Sequence, residues 1–161
     1  MRVLWAPWRM SYIKRAAEMS VCLFCRAAVT NNEEENLVLL RTNHSLAMLN
    51  AYPYNTAHVM IAPKRHVARI ELLHDHEVMD LFNLAKEVIK AIDEEYRPDG
   101  YNIGVNVGRV AGAGVEAHIH VHIVPRWLGD TNFMPTIAET KVMPEDLKTT
   151  LARLKSRLKP R

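Results

Sequence analysis

Apolar and polar positions change rhythm several times along this chain, and each rhythm predicts an element. Three apolar-rich runs, "NLVLLRT" (36–42), "HSLAMLN" (44–50) and "AHVMIAPKRH" (57–66), predict successive strands. "AYPYNT" turns the chain between the second and third, with Pro53 and Asn55 as its punctuation, and Pro63 ends the third. From Asp75 the period lengthens. Val78, Leu81, Phe82, Ala85, Val88, Ile89 and Ile92 follow the i, i+3, i+4 rule, which predicts one strong helix over 76–97, stopped by "RPDG". Tyr101, Ile103, Val105 and Val107 then alternate, as in a strand with one buried face. A glycine-containing loop leads to "EAHIHVHIVPRW" (116–127), where the alternation returns. Leu147, Leu151, Leu154 and Leu158 form a C-terminal amphipathic stripe. Strands, helix, strands, helix is the order of an α+β fold with a largely antiparallel sheet. Residues 1–20 have no period and read as an irregular arm packed through Trp5, Pro7 and Trp8.

Composition adds bounds rather than detail. The 161 residues, 48% apolar and 24% charged, suit one soluble globular domain over 1–161, with no repeat or long linker to divide it. The apolar runs are too short to span a membrane, and "MRVLWAPWRM" lacks the order of a signal peptide, so a cytoplasmic protein with no membrane partner is expected. A net charge of +3 gives no case for a nucleic-acid partner. The basic residues of "LKTTLARLKSRLKPR" read as a solvated helix face with at most a weak pull on anions.

The chemistry concentrates in two places. Cys22 and Cys25 in "VCLFC" are the only cysteines, too few for a disulfide framework. A Cys-x-x-Cys pair is half of a metal site or a redox motif, and no βαβ pattern surrounds it, so two further ligands are sought. His118, His120 and His122 recur at strand spacing, which places their side chains on one face roughly 7 Å apart. Ile119, Val121 and Ile123 face the other way. Two readings compete: an open metal centre that activates water, and a neutral imidazole that attacks phosphorus. Gly108, Gly112 and Gly114, with Arg109, sit just before the histidines in "NVGRVAGAGVEAH" and tilt the balance towards a phosphate-bearing substrate.

At this point "HIHVHIVP" resembles the signature of the histidine triad (HIT) family of nucleotide hydrolases and transferases. "MLNAYPYNTAHVMIAPKRH" is similar to the family's first nucleotide-binding segment and "NIGVNVGRVAGAG" to its second, so the resemblance runs from Cys22 to Trp127. It implies a HIT-like fold with a core over 21–127 and a C-terminal extension over 128–161. It makes His120 the nucleophile of a nucleotidyl–histidine intermediate, with His58 and His122 on the phosphates. Asn50 would lie near the nucleoside, and Asn106 near the phosphates and leaving group. Gly114 stands where many members have a hydroxyl, leaving backbone N–H groups around Gly112 and Gly114 to replace it. A structural Zn²⁺ on Cys22, Cys25, His66 and His118 and a homodimer using the 76–97 helix are implied as well. "LWAPWRMSYI" and "PRWLGDTNFMP" resemble the bacterial branch that phosphorolyses diadenosine tetraphosphate to ADP and ATP. Water as acceptor, in a hydrolase or phosphoramidase, is the alternative, followed by a nucleotide-binding module without turnover. Trp127 would stack on a base or serve as plain packing, and Asp130, Thr131 and Asn132 would form a turn reaching the distal part of a dinucleotide. His44, His74 and His76 match nothing in the family and are read as surface residues or caps.

Overall fold

The computed structural model describes residues 21–132 and 141–158; the irregular arm read over 1–20 lies outside them, as does "FMP" of the later motif. Helix α1 (Leu23–Val29) comes first, then the meander β1 (Val38–Arg41), β2 (Ser45–Leu49) and β3 (Val59–Pro63). The long helix α2 (Asp75–Tyr96) leads to β4 (Gly100–Val105), β5 (Val121–Arg126) and the C-terminal α3 (Leu147–Arg157). The five strands form one antiparallel sheet in the order β1-β2-β3-β5-β4. This is the α+β architecture with an antiparallel sheet that the pattern predicts.

Alternation divides the sheet into two faces with different duties. Ala47, Leu49, Val59, Ile61, Val121 and Ile123 point to one side, where Leu81, Leu84, Val88 and Ile92 of α2 and Leu151 and Leu154 of α3 close over them. Burying these side chains is the main stabilising term of the fold. Val38, Leu46, Met48, Met60 and Ala62 point to the other side, which α1 covers with Phe24 and Ala27. The histidines belong to this second face, so the sheet separates the large apolar core from the chemistry.

Local signals set the helix ends. At the start of α2 the Glu77 carboxylate accepts the His74 N–H at 2.9 Å, and the Arg65 guanidinium grips the same carboxylate at 2.6 and 2.8 Å. His74 is therefore a cap residue, while His44 and His76 are exposed. Hydrogen bonds from Arg65 hold the Glu77 carboxyl down at about 2, against the effect of burial. Arg97 takes a left-handed φ of 46° and Pro98 ends the helix. Asp146 caps α3 by accepting the N–H groups of Lys148 and Thr149 at 2.9 and 3.0 Å. The basic face of α3 is not simply solvated: Arg153 and Arg157 pair with Glu95 on α2, and Lys155 with Glu33.

Three expectations change. The buried face predicted for β4 is incomplete, because β4 is the edge strand and Ile103 stays 50% exposed. Phe82, predicted in the core stripe, is 55% exposed; it lies one helical step beyond the line Leu81–Leu84–Val88 that meets the sheet. Pairing of β5 begins only at Val121, so His118 and His120 occupy an extended lead-in. A loop holds that lead-in, with the Ile119 N–H donating to the Val67 carbonyl at 2.7 Å. No helix among the described residues is long and apolar enough to cross a membrane.

Candidate active site and metal centre

The Cys-x-x-Cys pair sits at the start of α1 and finds its two missing ligands in space. Cys22 Sγ, Cys25 Sγ, His66 and His118 bring one ligand atom each to within 4.8 Å of one another. The individual spacings are 3.3 Å from Cys22 Sγ to His118 Nδ1, 3.7 Å from Cys25 Sγ to His118 Nδ1, and 3.2 Å from Cys25 Sγ to His66 Nδ1. A tetrahedral Zn²⁺ with its usual bond lengths puts sulfur and nitrogen ligands roughly 3.6 Å apart, so the donor set fits that ion. The tautomer agrees. The Pro63 carbonyl can only accept, so His118 donates Nε2–H to it at 2.8 Å and keeps the lone pair of Nδ1 for the cluster. Burial, then the neighbouring Cys22, pushes the Cys25 thiol up, a shift that a cation at the centre reverses by stabilising the thiolate.

Two residues along, the same rule fixes His120. Its Nδ1–H donates to the His118 carbonyl at 2.8 Å, which leaves the Nε2 lone pair as the nucleophilic one. The third histidine is set by a chain. The Tyr54 N–H donates to His58 Nδ1 at 3.1 Å, so His58 carries its proton on Nε2 and donates it to His122 Nδ1 at 3.0 Å. His122 therefore holds its own proton on Nε2, as a donor. Burial, reinforced by His122 and His120, lowers the His58 pKa to about 3. Burial lowers His118 to about 4 despite the Pro63 hydrogen bond, and it lowers His120 despite the His118 carbonyl. Burial thus favours the neutral form of His58, His118 and His120.

A solvent-open cleft of about 370 Å³ brings Asn50, Gly112, Gly114, His120 and His122 together, with Tyr52 and Tyr54 beside them. His58 stands behind His122 rather than in the cleft wall. The register pairs Val105 with Val121, which carries Asn106 one step beyond the last pair, on the side of His120. Gly112 takes a φ of 90°, where a side chain would be strained, but its N–H already donates to the Arg109 carbonyl at 3.0 Å. Trp127 is not brought to the cleft. Its indole N–H donates to the Tyr96 carbonyl at 3.3 Å, at the far end of β5. Asp130 is committed to its own turn, accepting from Arg126 at 2.6 and 2.9 Å and from Asn55 at 2.8 Å, while Thr131 and Asn132 are exposed.

Sequence reasoning missed a second cleft, of about 420 Å³, which shares Asn50 and Met60 with the first and is walled by Leu23, Arg26, Leu37 and Met48. These residues come from α1, the β1 approach and β2, and no local pattern links them. Phe24 was missed too: its ring centroid lies 5.0 Å from that of His118 and 4.8 Å from that of His120.

An antiparallel sheet with His122 on β5, His120 just before it and His118 in a Cys₂His₂ cluster is the arrangement expected of a histidine-triad protein. The HIT domain family matches residues 31–127, and the chain belongs to it. The chain is 38% identical over 154 residues to the AP-4-A phosphorylase of Mycobacterium tuberculosis, covering 91% of this chain and 79% of that one. It is 30% identical over 138 residues to the adenosine 5'-monophosphoramidase hnt1 of Schizosaccharomyces pombe, with coverage of 86% and 98%. The crystal structure of a Zn-bound histidine triad family protein from Mycobacterium smegmatis shares the fold, with a TM-score of 0.66 at 23% identity over 84% of this chain and 91% of that one. The chain is an enzyme of this family.

Cys22→Ser is expected to abolish stoichiometric zinc in the purified protein and to lower its Tm; unchanged metal content by mass spectrometry would return both cysteines to ordinary thiols. The pH dependence has a definite sign. His58 in the unfolded chain takes up a proton near 6.5 and in the folded protein only near about 3, so the unfolded state binds more protons between those values. Its contribution to stability is complete above 6.5 and is lost as pH falls through that window. Urea midpoints measured from pH 7 down to 4 should fall, and His58→Asn should flatten the decline.

Proposed function

We propose that the protein binds dinucleoside polyphosphates, diadenosine tetraphosphate above all, and cleaves them through a nucleotidyl–His120 intermediate that inorganic phosphate resolves to ADP and ATP. The observation that carries this reading is the Nε2 lone pair of His120, fixed by the His118 carbonyl and facing a cleft that glycines and His122 also line. In the first step Nε2 bonds to the α-phosphorus as the bond to the bridging oxygen breaks, and ATP leaves. In the second, an oxygen of phosphate attacks the same phosphorus, the P–N bond breaks and ADP departs. His122 donates its Nε2–H to a phosphoryl oxygen, and Asn106 supports the leaving group. Fixed donors stabilise the charge of the transition state. The second cleft suits the nucleoside: Leu23, Leu37 and Met48 offer apolar walls to a base, and Asn50 stands where the clefts meet, in reach of a ribose.

Phosphate as acceptor is supported by the similarity to the mycobacterial AP-4-A phosphorylase. The similarity to a phosphoramidase favours water as the second reading. A Zn²⁺ in the Cys₂His₂ set would be closed to solvent ligands and so structural, tying α1 to the histidine segment. The protein works in the cytoplasm, where two free thiols stay reduced for such a site.

We further infer a homodimer through the edge of β4 that has no strand partner among the described residues, where Ile103 is exposed, together with Met79 and Phe82 on α2. Sedimentation should report twice the chain mass, and Ile103→Asp with Phe82→Asp should return it to that of one chain. Incubation of the wild type with diadenosine tetraphosphate should yield ADP and ATP only when phosphate is present. AMP and ATP regardless of phosphate would replace phosphorolysis with hydrolysis. His120→Asn should lower turnover at least about 10³-fold while leaving nucleotide binding nearly intact.

A further inference from the structure

Phe24 lies between the two cysteines in "CLFC", is 0% exposed, and sets its ring against both His118 and His120. Neither cleft wall includes it, so it touches neither the nucleoside nor the phosphate space. The helix that carries it, α1, has 7 residues, too few to be stable alone. It is pinned instead at three points. Below, Phe24 and Ala27 pack on Val38, Leu46, Met48 and Met60. At the C-terminal end, the Arg41 guanidinium of β1 donates to the Ala27 and Thr30 carbonyls at 2.9 and 2.8 Å. At the N-terminal end the two sulfur atoms face His66 and His118, and Cys22 and Leu23 pack against the same apolar cluster.

The His120 ring has one fixed edge, the Nδ1–H bond to the His118 carbonyl, about which the plane of the imidazole can still turn. His122 meets it edge-on at 4.8 Å and 70°, while Phe24 covers it at 4.8 Å and 36°. Phe24 therefore bounds that plane from one side, in a tilted contact. We propose that Phe24 is a positioning residue for His120, and that the Cys₂His₂ centre acts on the reaction by holding the first turn of α1, and with it this ring, against the nucleophile. The centre thus has a reach beyond fold stability: ligand loss at Cys22 or Cys25 frees the phenyl ring before it frees the sheet. The claim rests on the nucleophile reading of His120 for its kinetic part only.

The test compares the wild-type protein, Phe24→Leu and Phe24→Met, each loaded with zinc. Zinc content should stay at that of wild type, since no ligand changes. In substrate-free protein, the carbon-bound ring protons of His120 should lose the ring-current shift that a phenyl ring imposes, and the same resonances should move when a chelator strips zinc from wild type. Rapid-quench measurement of the nucleotidyl-enzyme should show its formation slowed about 10- to 100-fold, the scale expected for a misaligned nucleophile, with KM changed less than about twofold. Phe24→Met, flexible and able to refill the space, should recover stability more fully than rate. A variant that binds zinc and forms the intermediate at the wild-type rate would overturn the proposal, whatever its Tm. A shift of the His120 resonances on zinc removal as large in Phe24→Leu as in wild type, or none in wild type, would overturn the coupling through Phe24. Should wild type form no nucleotidyl-enzyme at all, the function reading falls while the zinc-dependent His120 shift still decides the coupling.

Discussion

A neutral imidazole has one lone pair, and at this site main-chain groups decide which nitrogen keeps it. The Pro63 carbonyl takes the Nε2–H of His118 and turns Nδ1 to the sulfur atoms. The His118 carbonyl takes the Nδ1–H of His120 and turns Nε2 to the cleft. One histidine turns a nitrogen to the cysteines with its side chain and fixes the His120 tautomer with its backbone, so a shift of the residue at 118 would disturb both. Burial makes the arrangement hold, because desolvation keeps the rings neutral where a charged imidazolium would have no lone pair to offer.

The sheet makes this affordable. Polar groups taken out of water are costly unless paired, and four imidazoles would ill fit the apolar layer beneath α2 and α3. Alternation along β3 and β5 sends Ile61, Val121 and Ile123 into that layer and leaves His122 on the opposite side, where Met48, Met60 and α1 form a thinner cover with a cleft through it. The main stability of the protein and its chemistry are therefore carried by different faces of the same strands, and the antiparallel register is what keeps the two from mixing.

Much of this was legible in the residues, for reasons that differ by element. The long helix came out to within one residue at each end, since seven apolar positions in phase leave little freedom and Arg97–Pro98 marks the stop. Phe82 did not, because a stripe says which way a helix faces but not how wide the sheet beneath it is. Alternation showed that His120 and His122 share a face. That His118 and His120 precede the paired strand was hidden, because their support comes from Val67 in a loop. Cys22 and Cys25 showed as half of a metal site by their spacing, but His66 and His118 were visible as its other half only through resemblance, since ligands up to 96 positions apart carry no local mark. Phe24, Arg41 and the second cleft were silent for the same reason: an apolar residue in a short helix looks alike whether it fills a core or packs against a histidine ring.

The row Tyr54, His58, His122 has one more property. Its first member is an amide N–H, which has no lone pair to receive a proton in return. His58 therefore cannot pass a proton backwards, and its own Nε2–H occupies His122 Nδ1. The polarity of the whole row is locked from the peptide outward. Whatever occupies the cleft meets a hydrogen that can be shared but a ring that cannot accept a second one on its inner side while His58 donates to it.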